Sequence, residues 1–217
     1  LLASCSTQTP PPVIPMEDFF RNPLVAGFQL SPDGAYISFT KPYERRMNIH
    51  VLKQGTTDTV RVTSVTHRDI FGYFWKGNTR ILYLQNTGGD ENDHLFGVDP
   101  DGKNAVDLTP FPGIKTMIVD QMKDNETDVL IGLNKRNPQV FDVYRLNTVT
   151  GVMTMVAENP GNITQWLTDH EYRIRVAMVT DGVNQTVLFR AEDKGPFTPL
   201  ITTTFKETFQ PLLFTFD

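Results

Sequence analysis

A repeat with a period in the mid-forties constrains this chain more than any other feature of its sequence. Four polar turns, each followed by an apolar strand, can be laid over one another. Ser31-Pro32-Asp33-Gly34 precedes Tyr36 to Phe39, Lys76-Gly77-Asn78 precedes Arg80 to Leu84, Lys123-Asp124-Asn125 precedes Asp128 to Leu133, and Thr168-Asp169-His170 precedes Arg173 to Met178. With Asp33, Gly77, Asp124, Asp169 and Asp217 as markers, the intervals are 44, 47, 45 and 48 residues. A second series, Gly55, Gly102, Gly151 and Gly195, closes hairpins at intervals of 47, 49 and 44 residues. Two marker series with one period point to a structural repeat, and roughly 40 to 50 residues is the length of a four-stranded propeller blade. Val, Ile, Thr, Phe and Tyr dominate the runs between turns, and no segment of ten residues keeps a helical apolar period.

The expectation is an all-β chain, a β-propeller whose blades span approximately 27–66, 68–110, 113–158 and 161–203. The segment 205–217 opens a fifth blade. A ring closed at four blades would leave Phe209, Leu212, Leu213, Phe214 and Phe216 without a blade to join, so the propeller is larger and only part of it lies in this chain. The propeller portion starts near residue 16, after a tether.

Composition narrows the function. The formal net charge of −5 is spread over both halves, and no run of Lys or Arg is present to draw a phosphate backbone, which argues against a nucleic-acid partner. No stretch approaches the roughly 18 to 20 consecutive apolar residues of a membrane-spanning helix. The single cysteine, Cys5, leaves no intrachain disulfide and no cysteine pair for a metal. Its setting, Leu2-Ala3-Ser4-Cys5, resembles the cleavage box of bacterial lipoproteins, and the Ser/Thr/Gln/Pro run that follows to Pro15 is a tether that cannot pack. The expectation is residues 1–15 as leader remnant and tether, lipidation at Cys5, and a bacterial cell-envelope location held to the membrane by lipid alone.

Four stretches carry a family resemblance: Gly27 to Gly34, Gly72 to Asn78 with its Tyr-Phe-Trp-Lys-Gly, Gly89 to Phe96, and Asn134 to Tyr144. Together they resemble the amino-terminal propeller of bacterial prolyl oligopeptidase family serine peptidases, the dipeptidyl aminopeptidase and acylaminoacyl peptidase group. The resemblance covers nearly the whole chain after the tether. It implies an α/β-hydrolase domain in the same parent chain, carrying a serine on a strand-to-helix elbow with an aspartate and a histidine after it. This chain has no Gly-x-Ser-x-Gly; Ser4, Ser6, Ser31, Ser38 and Ser64 are its serines, and none sits on an elbow. No catalytic residue is assigned, and the chain by itself is expected to be inactive.

The histidines, His50, His67, His94 and His170, are scattered without metal-ligand spacing. His94 stands beside Asp90, Glu91 and Asp93, but the cluster falls in one loop without a second supporting element, so no metal and no cofactor is expected. In a blade of strands a to d, the loops between b and c emerge on one face, and here they read as 41–48, 85–94, 134–141 and 180–184. The resemblance implies short peptides as ligands, with an acidic pair for the free amino terminus and an arginine for a carbonyl or carboxylate. Asp90 and Glu91 have the chemistry of that pair, and Arg136, Arg45 and Arg46 have the chemistry of that arginine. Solvated loop charge is an equal reading for each. The alternative function is a binding scaffold, a lipoprotein propeller with no hydrolase domain.

Overall fold

Strand follows turn wherever the repeat sets one. The computed structural model describes residues 11–21, 23–86, 88–207 and 209–215, so Cys5 lies outside the described residues. After a single-turn helix, α1 (Met16–Phe20), come the four strands of blade one: β1 (Ala26–Leu30), β2 (Tyr36–Tyr43), β3 (Arg46–Lys53) and β4 (Thr59–Arg61). Blade two holds β5 (Gly72–Lys76), β6 (Arg80–Asn86), β7 (Asp93–Val98) and β8 (Val106–Asp107). Blade three holds β9 (Thr116–Asp120), β10 (Asp128–Leu133), β11 (Asp142–Asn147) and β12 (Met153–Ala157). Blade four holds β13 (Ile163–Thr168), β14 (Ile174–Thr180), β15 (Asn184–Phe189) and β16 (Thr198–Thr204). In each sheet the strands lie in chain order and antiparallel, the a-b-c-d order of a propeller blade.

Among the described residues both marker series sit where turns were expected, and Asp217 lies outside those residues. Gly55, Gly102 and Gly151 close the c–d hairpins with φ of 78°, 81° and 73°, a left-handed backbone that favours glycine. Strand bounds differ from expectation at the b–c loops. The 41–48 loop is a two-residue turn, Glu44-Arg45, with φ of 46° and 70°, so Arg46 belongs to β3. Positive φ at both central positions is the signature of a type I′ hairpin, usually built with Asn and Gly. The second loop runs only over 87–92, because Gln85 and Asn86 end β6 while Asp93 and His94 begin β7.

Blades stack face to face on apolar side chains. Ile49, Val51 and Val62 of blade one meet Tyr73, Ile81, Tyr83 and Val98 of blade two. Leu82, Leu95 and Leu108 meet Val129, Ile131, Leu133 and Leu146 of blade three, and Leu130 and Val143 meet Ile174 of blade four. The β10 run Asp-Val-Leu-Ile-Gly-Leu is apolar without alternation because both its faces are covered. Each such side chain, fully buried, contributes roughly 1.5–3 kcal/mol. Phe74, Trp75, Tyr83, Phe96, Tyr144, Trp166 and Phe189 lie in these clusters or against them, whereas Phe141 belongs to none of them and sits half-buried beside Gly132 of its own blade.

Polar links between successive a–b turns add a ladder along one side. The Asp33 N–H donates to Asn78 Oδ1 at 3.0 Å, Lys76 Nζ to the Gln121 and Met122 carbonyls at 2.8 and 2.7 Å, and the Asp124 N–H to Tyr172 Oη at 2.8 Å. His170 Nε2 reaches the Phe214 carbonyl at 2.8 Å, and the Phe214 ring packs on Val176, Met178 and Val187. The segment past β16 thus covers blade four as a next blade would, although its described residues form no strand.

Candidate functional site

Antiparallel alternation puts every b–c turn and every connection from strand d to the next strand a on one face of the molecule. That face carries Glu44, Arg45, Arg46, Asp90, Glu91, Lys135 and Arg136. The loops on it are tied in pairs. Arg46 Nη1 is 3.0 Å from Asp69 Oδ2, in the connection from blade one to blade two. The Lys115 N–H donates to Asn134 Oδ1 at 2.7 Å, and Lys135 Nζ lies 3.8 Å from the centroid of the Phe111 ring.

A residue in the first turn-side positions of strand c anchors these ties. Asn48, His94 and Asp142 are equivalent, at intervals of 46 and 48 residues, and all three are buried. Asn48 Oδ1 accepts the Val65 N–H at 2.7 Å and its Nδ2 donates to the Val65 carbonyl at 2.9 Å. His94 Nδ1 is 2.7 Å from Asp107 Oδ2, so its carboxylate comes from strand d and not from the adjacent loop cluster that the sequence suggested. Asp142, fully buried, accepts Arg136 Nε and Nη2, each at 2.9 Å, and the Asn159 N–H at 2.8 Å. Burial alone would raise the Asp142 carboxyl, but the Arg136 guanidinium and the Asn159 N–H outweigh it and hold it below the usual carboxylate range. Arg136 Nη2 also donates to the Asn159 carbonyl at 2.7 Å. Its fork is therefore filled by the fold.

The acidic pair is arranged differently. Asp90 and Glu91 are exposed, and Asp90 accepts the Asn92 N–H and side-chain amide at 3.1 and 3.2 Å, which lowers its pKa. Glu91 sits at φ 61°. Among the described residues no ion pair joins Asp90 or Glu91 to Arg136, and no group of three or more His, Cys, Asp or Glu side chains gathers as a metal set. Blade four adds Asp181, pushed down to about 2 by the Asn184 N–H, the Asn184 side chain and the Val183 N–H. Asp181 turns with Asn184, a local pairing that composition does not advertise.

A cleft of about 580 Å³ that sequence reasoning missed opens between blades three and four, lined among others by Glu158, Trp166, Arg190 and Phe197. Arg190 lies 4.7 Å from the Phe197 ring centroid and donates through Nε to the Ile174 carbonyl at 2.6 Å. Arg136 Nη1 is 3.5 Å from Glu158, at the edge of the cleft.

No protein-family model matches the chain. It is 32% identical over 167 residues to dipeptidyl aminopeptidase BIII of Pseudoxanthomonas mexicana, covering 76% of this chain and 24% of that protein. It is 26% identical over 187 residues to dipeptidyl peptidase family member 6 of Caenorhabditis elegans, covering 82% and 25%. The chain thus spans about a quarter of the length of these relatives. Among solved structures it resembles a prolyl endopeptidase with a TM-score of 0.59 at 11% identity, over 84% of this chain and 28% of that one. TolB from Acinetobacter baumannii matches with a TM-score of 0.54 at 15% identity, over 85% and 45%. At those identities the structural likeness speaks for the propeller fold, and the sequence likeness points to peptidases within it. By its shared sequence and its stacked four-stranded blades, the chain is a β-propeller portion of the prolyl oligopeptidase family.

Proposed function

We propose that this chain is the substrate-selecting propeller of a cell-envelope serine peptidase, which admits short peptides and orients them for an α/β-hydrolase domain of the same parent protein. The observation that carries the reading is the 32% identity, over 76% of the chain, to a protein named a dipeptidyl aminopeptidase. The chemistry must come from elsewhere in the parent, because no serine here lies in a Gly-x-Ser-x-Gly elbow. On the face shared by the b–c loops, the exposed carboxylates of Asp90 and Glu91 pair with a peptide's free ammonium, and Arg45 at the exposed hairpin tip offers donors to a carbonyl. Arg46 and Arg136 support that face through Asp69 and Asp142, and the Arg136 fork is already filled by the fold.

The test compares peptides with free and blocked amino termini on Glu91→Gln in the full-length protein. Because Glu91 is exposed, the expected loss in kcat/KM is selective for free termini and about 1 kcal/mol, roughly fivefold. An equal effect on both peptides, or no effect, removes Glu91 from substrate binding.

The anchor belongs to the same proposal. With its complete native leader the protein partitions into the membrane fraction through a lipid on Cys5, and Cys5→Ala releases it or leaves it unprocessed. Equal partitioning of the two forms refutes the anchor.

A further inference from the structure

We propose that the base of the blade-two b–c loop binds a calcium-class divalent cation through Asn86 and Asp93. The two residues face each other directly in the β6–β7 register, at the last pair before the loop. Period-two alternation puts Asn86 on the sheet face of Leu82 and Leu84, and Asp93 on the same face with Leu95, all turned toward blade three. Asn86 is 6% exposed. Its Oδ1 and Asp93 Oδ1 are both shielded from solvent, and neither has a hydrogen-bond partner among the described residues.

Two buried acceptor oxygens on directly opposed side chains are unfavourable without a positive group to share. Among the described residues no cationic side chain pairs with either oxygen. His94 bonds Asp107, Lys135 lies over the Phe111 ring, and Arg68 lies against Gly89, where an added Cβ would come within 1.7 Å of Nη2. The donor set is a carboxylate and an amide carbonyl. An all-oxygen set of this kind selects a hard cation over a zinc-class ion. Calcium accepts six to eight oxygens in flexible geometry, whereas magnesium requires a near-ideal octahedron and sheds its water reluctantly. Asn86 stands on β6 and Asp93 on β7, so the site draws on two strands and not on the loop alone. A single carboxylate sets a weak affinity, on the order of 10⁻⁴–10⁻³ M.

The experiment is calorimetric titration of the full-length protein with calcium chloride and, separately, with magnesium chloride at matched ionic strength. Thermal melts under the same conditions accompany it. The expected result is a saturable calcium site that raises Tm, weaker for magnesium, and lost in Asp93→Asn and Asn86→Leu. Asn86→Asp adds a second carboxylate and tightens calcium binding about tenfold, which keeps the proposal testable even where the loss variants fold poorly. It is overturned by absence of a calcium site in the wild type, by an unchanged site in Asp93→Asn, by Asn86→Asp binding no more tightly, or by equal binding of the two metals.

Discussion

Arg136 illustrates how a side chain with the chemistry of a ligand can be spent on the fold. Its fork closes on the fully buried Asp142 and on the Asn159 carbonyl, and so ties the b–c loop of blade three to the connection that enters blade four. Removing it leaves Asp142 buried with only the Asn159 N–H. Arg136→Ala is therefore expected to destabilise the protein by roughly 1–3 kcal/mol, the cost of leaving the buried Asp142 carboxylate short of donors. The Asp142 carboxyl is held low in the folded state, so its stabilisation is present above the unfolded pKa and is lost as pH falls through the folded one. Without Arg136 the carboxyl is no longer held low, so the acid-driven loss shrinks and the stabilities of wild type and variant converge as pH falls. Urea melts of wild type and variant from pH 3 to 7 read both effects; a change below 1 kcal/mol with an unshifted acid limb would show that Asp142 does not depend on Arg136. The sequence displayed the charge of Arg136 but not its partner. Asp142 sits six residues on, and only its equivalence with Asn48 and His94 in the repeat marks it as an inward-facing strand opening.

At the scale of elements, turns that carry their own chemistry were readable and turns held by their surroundings were not. Gly55, Gly102 and Gly151 occupy left-handed positions that favour glycine, so they marked the c–d hairpins correctly. Glu44-Arg45 makes the same kind of demand without glycine or asparagine, because β2 and β3 are paired to Tyr43 and Arg46 on either side. Lys76 is a second case. It is 1% exposed, and burial pushes its pKa down to about 8 although its ammonium caps the Gln121 and Met122 carbonyls. A folded lysine titrating near 8 and an unfolded one near 10.4 mean that the unfolded state binds more protons between those values. The Lys76 contribution to stability therefore rises with pH across that window. Lys76→Met leaves two carbonyls unpaired, at a cost of roughly 1–3 kcal/mol. The expected difference between wild type and Lys76→Met widens from pH 7 to pH 10; a difference that is flat or narrows would contradict a buried charged lysine at the junction of blades two and three.

At the scale of the whole molecule, four blades stack in order and apolar surface remains at both ends. Phe28 and Leu30 are exposed on blade one, and Leu200, Leu212 and Leu213 are exposed at or beyond β16. The repeat made this architecture readable, since period and turn phase alone fix blade number and strand order, whereas side-chain commitments on the b–c face depend on contacts between blades. The same apolar ends suit a portion of a larger propeller, as does a chain that spans about a quarter of its curated relatives. Under the proposed function this portion selects peptides and another part of the parent cleaves them. The most direct measurement of that division is steady-state turnover of dipeptide amides with free amino termini by the isolated 217-residue chain and by the full-length protein, side by side. Turnover is expected from the full-length protein alone, with the isolated chain at the buffer rate. Hydrolysis by the isolated chain that survives repurification, or a full-length protein that is inert and merely binds, would contradict it.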